Sequence, residues 1–372
     1  MTRLKLSRRL MALALSTAIF APVAVMAQDA GVEAAKAIVA DAAKSNAPWT
    51  GPTTGPAAQK DKFIVYVSAD QRNGGMRGVG LGVEEAAGAL GWQVRTLDGQ
   101  GTVSGRSSAL QQAIALQPQG IVLGGIDAKE QAELLKQISA AGIKIVGWHS
   151  TATPGPADEF TLFANITTEA TNVAKAAASY AVAQSDGKAG VVIFTDSVYA
   201  IAIAKSDAMA EVIKACGGCK LLSVEDTPLA EASTRMPQLT TSLLQRFGAD
   251  WTYSLSINDL TFDFMSASLQ SAGIAQDSIP QNISAGDGSE AAFQRIRDNF
   301  YQAATVAEPL NLHGWEVVDE INRALAGEKW SGFVAPVHLV TKDNIGSDGG
   351  PKNTYDPDNG YRDAYKKIWG IQ

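Results

Sequence analysis

From Phe63 onward the chain alternates short apolar runs with stretches in which Ala and Leu recur at three- and four-residue spacing. A short apolar run bounded by turn residues reads as a buried strand; the three-to-four spacing reads as a helix with one apolar face. Strands are expected at Phe63 to Val67, Gln93 to Leu97, Gly120 to Leu123 and Ile143 to Trp148, with helices near Met76 to Leu90, Arg106 to Leu116 and Ala128 to Ala141. The segment from Thr151 to Pro156 breaks the pattern with two prolines and a glycine. The alternation then restarts with a helix near Thr167 to Ala183, strand Gly190 to Phe194, helix Ala200 to Ala215, strand Lys220 to Val224 and helix Arg235 to Phe247. Strands Trp251 to Leu255, Asn282 to Ala285 and Gln302 to Val306 follow, and a long helix spans Leu310 to Ala326. Alternating strands and helices imply right-handed βαβ crossovers and parallel sheets. Two doubly wound parallel-sheet α/β domains accommodate this many strands better than one very wide sheet.

The first residues follow a different rule. Arg3, Lys5, Arg8 and Arg9 precede an apolar run from Leu10 to Ala27 that ends in Val25-Met26-Ala27. That order of charge, apolar run and small residues is a secretory signal peptide, with cleavage expected after Ala27 and a periplasmic destination. The run is Ala-rich, interrupted by Pro22, and short of the roughly 20 apolar residues a spanning helix needs. Residues 28–61 form an N-terminal helix, Val32 to Ala43, and a Pro/Gly connector from Pro48 to Pro56, in which Trp49 is expected to dock on the body.

Removing 27 residues from 372 leaves 345, enough for two domains. With 46% hydrophobic and 19% charged residues the chain can bury a large core, and a net charge of -7 argues against nucleic acid as partner. The two cysteines, Cys216 and Cys219, would be expected to pair in an oxidising compartment. A redox-active CxxC should open a helix; this one follows a helical stretch, so a structural disulfide is expected. Three scattered histidines supply no zinc cluster.

Several segments, in this order and spacing, carry a resemblance. They are Phe63-Ile64-Val65-Tyr66-Val67-Ser68, Gly120-Ile121-Val122-Leu123 followed by Asp127, and Ala140 to Val146. Ile257-Asn258-Asp259, Ser284-Ala285-Gly286-Asp287-Gly288 and Ala303 to Glu308 complete the set. From Lys62 to Thr341 the chain resembles the type I periplasmic sugar-binding proteins, the ribose-binding-like solute receptors of ABC transporters. The resemblance implies a multi-crossing hinge near Ala164-Asn165, Glu308-Pro309 and His338-Leu339. One lobe would comprise residues 62–164 plus 309–338, and the other 165–308 plus 339–372. It further implies a small-molecule ligand, a sugar or polyol, bound in the interdomain cleft by hinge closure, an ABC permease in the inner membrane as partner, a monomer, and no cofactor.

Doubly wound sheets bind ligands at the carboxyl ends of their strands, so residues just after strands are the site candidates. The resemblance places ligand contacts at Asp70, Arg72, Asn73 and Met76, although Arg72 could equally be a solvated loop charge. Asn258 and Asp287 match positions that present an amide and a carboxylate to ligand hydroxyls, where charge-assisted hydrogen bonds are strong. Glu308 stands where the family commonly has Gln, at a hinge. Lys205 falls near a family arginine, against the plainer expectation of an exposed helix lysine. Trp148 and Tyr199 either stack on a ligand face or belong to the core.

The main departure is His149-Ser150, where ribose-type members place Asp-Arg. A histidine can still donate or accept, but the loss of a bidentate donor puts a pentose or hexose in doubt. Two other classes remain open. A membrane-sensor receptor would use the same closed form, and an α/β enzyme would share the architecture, though no GxSxG elbow, P-loop or HExxH occurs.

Overall fold

The computed structural model describes residues 22–45 and 48–371. The expected signal peptide lies outside the described residues as far as position 21. The first helix, α1, runs Pro22–Ala42, longer at its start than the periodicity from Val32 indicated. Among the described residues no helix is long and apolar enough to cross a membrane.

Two six-stranded sheets organise the chain. The first contains β1 (Phe63–Ser68), β2 (Gln93–Asp98), β3 (Gly120–Gly124), β4 (Lys144–Trp148), β5 (Gly155–Ala157) and β6 (Leu162–Ile166), in the order β2-β1-β3-β4-β6-β5. Helices α2 (Gly74–Ala89), α3 (Val103–Ala115) and α4 (Ala132–Ala140) connect its strands. After α5 (Ala170–Gln184) the second sheet forms from β7 (Gly190–Thr195), β8 (Lys220–Asp226), β9 (Tyr253–Ser256), β10 (Gln281–Ser284), β11 (Gln302–Ala307) and β12 (His338–Thr341). Its order is β12-β11-β10-β9-β7-β8. Its helices are α6 (Ala200–Ala215), α7 (Ala232–Phe247), α8 (Leu260–Asp263), α9 (Ser266–Ser271) and α10 (Glu290–Asp298), followed by α11 (Leu310–Ala326), α12 (Ile345–Asp348) and α13 (Tyr361–Trp369). Pairing is parallel except at the edges, where β5 and β12 run antiparallel to their neighbours. Strands β3 and β7 are buried along their whole length because helices cover both faces, which is why they read as unbroken apolar runs.

In each sheet the chain steps outward to one side and then returns to the other, between β1 and β3 and between β7 and β9. These are the topological switch points, where a crevice opens at the carboxyl ends of the strands. The two crevices face each other, and the site lies between them.

The chain leaves the first sheet after Ile166, two residues beyond the expected crossing. It returns after β11 into α11, which packs on α2, and re-enters the second sheet at β12. The α2–α11 crossing is close: Gly82 and Gly314 face each other, and a Cβ on Gly314 would overlap the Gly82 backbone. The expectation that residues 339–372 stay with the second lobe needs correction. Helix α13 crosses back, and Tyr361, Tyr365, Ile368 and Trp369 join the first lobe's core, with Trp369 stacked on Trp315 at 5.4 Å. Their spacing puts all four on one face of the helix, which drives that docking.

The N-terminal segment touches both lobes. Helix α1 lies on α5 through Val32, Ala35 and Ala42, in the second lobe's core. The connector then runs along the first lobe, where Trp49 packs on Phe333 and Tyr365. There Gln59 N–H donates to Asn322 Oδ1 at 3.0 Å, and Arg323 donates to Thr54 O at 2.7 Å. Cys216 and Cys219 form a disulfide just past α6.

Candidate functional site

The lobes are closed on a pocket enclosing about 410 Å³ of non-protein space, including its opening to solvent. Met76 comes from the first turn of α2, Gly125 from the loop after β3, and Trp148 and His149 from the end of β4. The second lobe supplies Tyr199, Ile201, Ala202 and Lys205 around the start of α6, Leu229 after β8, Ile257 and Asn258 after β9, and Asp287 after β10. Every contribution therefore comes from the last residue of a strand, from just past one, or from the helix that follows.

Asp287 is buried, and one of its oxygens is fully engaged: Asn258 Nδ2 donates to Oδ2 at 2.6 Å. The other, Oδ1, has His149 Nδ1 at 3.9 Å, too far for a hydrogen bond. Burial pushes the Asp287 carboxyl up to about 6, against the opposing pull of His149 and Lys205. The first turn of α2 approaches it so closely that a Cβ on Gly75 would collide with the carboxylate.

Behind the pocket wall sits Glu308, at the hinge. Its Oε2 pairs with His149 Nε2 at 3.0 Å, and its Oε1 has no hydrogen bond, with the Lys205 ammonium 3.6 Å away. Burial alone would raise Glu308, but His149, Lys205 and His313 together hold it below the usual carboxylate range. His313 is itself fully buried, and desolvation pushes it down to about 4, so it is neutral at neutral pH. Its Nδ1 accepts from Trp148 Nε1 at 3.2 Å, which places the ring proton on Nε2. His149 adopts a left-handed backbone (φ 53°) at the end of β4 and stacks on Trp148 at 3.9 Å. Such a backbone costs a residue with a Cβ roughly 1–2 kcal/mol, and strain of this kind is found at ligand sites.

One ring nitrogen of His149 and single oxygens of Asp287 and Glu308 lie within 4.8 Å of one another, a donor set suited to a divalent cation. The ammonium of Lys205 already supplies the positive charge there, so the arrangement is better suited to hydroxyl groups, which donate to the carboxylates and accept from the ammonium.

Of the twelve residues singled out from sequence, the structure gathers Met76, Trp148, His149, Tyr199, Lys205, Asn258 and Asp287 on the pocket wall. Asn73 lies at its edge, capping α2 through its Oδ1 and donating to Asn258 Oδ1 across the cleft at 3.3 Å. Glu308 lies one layer back. Three candidates are elsewhere. Asp70 and Arg72 pair with each other at 2.7 Å, and the Arg72 side chain remains 65% exposed, so it is a loop charge, not a pocket wall. Ser150 is buried beside Asn165, whose Oδ1 accepts from its N–H at 2.8 Å. Lys205 overturns the plainer sequence expectation, being 2% exposed. Trp148 is buried and Tyr199 half-buried; Trp148 gives its face to His149, and Arg106 lies over the Tyr199 ring at 5.9 Å. Sequence reasoning missed the apolar lining, Ile201, Ala202, Leu229 and Ile257. Ile257 sits one residue before the flagged Asn258, and Ile201 and Ala202 open a recognised helix, so post-strand position was the available signal.

The family model described as periplasmic binding protein domain matches residues 64–329. The chain belongs to the periplasmic binding protein domain family. Among solved structures, a sugar ABC transporter protein from Yersinia enterocolitica is similar at 18% identity and TM-score 0.67, covering 81% of this chain and 90% of that one. An ABC transporter solute-binding protein from Agrobacterium vitis, bound with α-D-tagatopyranose, has TM-score 0.70 at 15% identity, covering 79% and 99%. The periplasmic component of the arabinose ABC transporter from Shewanella sp. ANA-3, bound to L-arabinofuranose, has TM-score 0.65 at 15% identity, covering 82% and 95%. No curated protein sequence matches the chain.

Proposed function

We propose that the chain is the soluble receptor of an ABC importer, exported through a cleaved signal peptide over residues 1–27, and that it takes a small polyhydroxylated molecule, a sugar or polyol, into the cleft. The permease of the inner membrane is its partner, and it acts as a monomer without cofactor. The observation that carries this reading is the buried Asp287, one oxygen fixed by Asn258 and the other facing the pocket without a hydrogen bond. A carboxylate held out of water in that way is matched by a ligand hydroxyl, which restores the missing bond. Lys205 and Glu308 extend the same polar edge, while Met76, Ile201, Leu229 and Ile257 offer an apolar wall to C–H faces. The sugars held by the Agrobacterium and Shewanella proteins of the same fold support the substrate class.

We further assign Met76, His149, Lys205, Asn258 and Asp287 to ligand contact, and Glu308 to the hinge, where it orients His149 and Lys205. The lobe limits follow the sheets, with the correction at α13. Mass spectrometry of material released by denaturing protein purified from the periplasm tests the reading. A small polyhydroxylated compound at near-stoichiometric yield is expected; an amino acid, peptide or metal ion as the released species would contradict it.

A further inference from the structure

Helix α6 brings Tyr199, Ile201, Ala202 and Lys205 to the pocket, yet its own N-cap residue, Tyr199, provides no side-chain cap. The first N–H groups of a helix have no partner within the helix. Here the Ala200 N–H donates to Asp127 Oδ2 at 2.9 Å. Asp127 belongs to the first lobe, in the loop after β3, and α6 to the second. The helix that carries a third of the pocket wall is therefore capped from across the cleft.

The other oxygen of Asp127 is committed locally, accepting from Lys129 N–H at 2.9 Å, and the residue is 5% exposed. One carboxylate thus closes a turn in its own lobe with Oδ1 and caps a helix of the other lobe with Oδ2. Its negative charge also lies at the positive end of the α6 dipole, where it is favourable. A neighbouring contact spans the same gap: Arg106, held by Glu130 in the first lobe, lies over the Tyr199 ring.

We propose that Asp127 is a positioning residue that couples lobe closure to the assembly of the pocket. When the lobes part, α6 loses its cap; when they meet, Asp127 seats the first turn of α6 and with it the ligand-facing residues. The proposal rests on the reading of the cleft as the ligand site, but the Asp127 contact is made between residues of the chain itself and is tested without ligand.

The test uses the full-length chain as wild type, Asp127→Ala and Asp127→Asn. The Asn variant separates the two roles, because its Oδ1 can keep the Lys129 turn while its Nδ2 presents a donor to the Ala200 N–H, which is also a donor. Hydrogen exchange is read at the amides of 200–203. Lobe separation is read by pulsed electron resonance between labels at Gln111→Cys and Gln238→Cys, the native cysteines being disulfide-bonded. The expected result is a protected Ala200 and a closed population in the wild type. In both variants exchange should be about tenfold faster, as loss of one charge-assisted cap implies, and the distances should be longer. Asp127→Asn should melt within a few degrees of wild type, which shows that the change is not misfolding. Identical exchange and distances in wild type and Asp127→Asn would overturn the proposal, as would a wild type with no closed population. Failure of the ligand reading would appear elsewhere, in sugar binding by Asp287→Ala, a substitution that leaves the Asp127 cap in place.

Discussion

Asn258 donates through Nδ2 to Asp287 Oδ2 at 2.6 Å and accepts through Oδ1 from Asn73 Nδ2 at 3.3 Å, so one amide ties the buried carboxylate to the opposite lobe. Its role in binding therefore includes orienting Asp287.

Asn258→Ala should therefore weaken ligand binding by leaving Asp287 misdirected and short of a bond. The cost is expected at roughly 1–3 kcal/mol, about ten- to hundredfold in dissociation constant. Asn258→Asp should be worse than Asn258→Ala, because it sets a second carboxylate against Asp287. Calorimetry on the two variants, each checked for folding by thermal melts, measures the order; a tighter-binding Asn258→Asp would contradict it.

The first lobe holds a set of carboxylates that neutral pH disfavours. Glu316, Asp319 and Glu320 lie buried on α11 with Arg323 as their one neighbouring cation among the described residues, and Arg323 pairs with Asp319 at 2.7 Å. Burial raises Glu316 well above the usual range and Glu320 to about 7. A folded value above the unfolded one means stability that is full below about pH 4.5 and lost as pH rises through 7. Glu320→Gln, which mimics the protonated acid, should match wild type near pH 4 and exceed it at pH 8 by about 1–3 kcal/mol. Denaturant titrations at the two pH values read this directly. Equal stability of variant and wild type at pH 8 would show that Glu320 carries no buried-charge penalty.

Lys205 is the cation of the cleft, and its removal should be felt by its neighbours. In Lys205→Met the burial of Asp287 and Glu308 is no longer offset by the ammonium. The Asp287 carboxyl should then titrate above 6, leaving less of it ionised, and sugar affinity should fall at pH 5.5 more than at pH 7.5. A loss of affinity equal at both pH values would assign Lys205 to direct ligand contact alone.

Most of the fold was legible because buried parallel strands are continuous apolar runs and their helices carry strong periodicity. Helices Ala200–Ala215 and Leu310–Ala326 lie where the spacing put them. Strand β5 was not legible, since Gly155-Pro156-Ala157 reads as a breaker and becomes a strand only as an antiparallel edge. Helix α13 had a readable stripe, Tyr361, Tyr365, Ile368 and Trp369, obscured by the Pro- and Gly-rich residues before it. In the site, the post-strand rule together with the family resemblance pointed to Asn258 and Asp287. It could not find that Lys205 is buried, because its partner Glu308 is more than a hundred residues away. Nor could it see that Asp70, two residues from Arg72, would neutralise that arginine at the surface.

The central claim is that a polyhydroxylated ligand is held in the cleft by Asp287, and calorimetric titration with pentoses, hexoses and their polyols tests it most directly on wild type, Asp287→Ala and Arg72→Ala. At least one compound should bind the wild type, bind Asp287→Ala at least about tenfold more weakly, and bind Arg72→Ala with unchanged affinity. A compound held by Asp287→Ala as tightly as by the wild type, or no binding across the whole set, would contradict it.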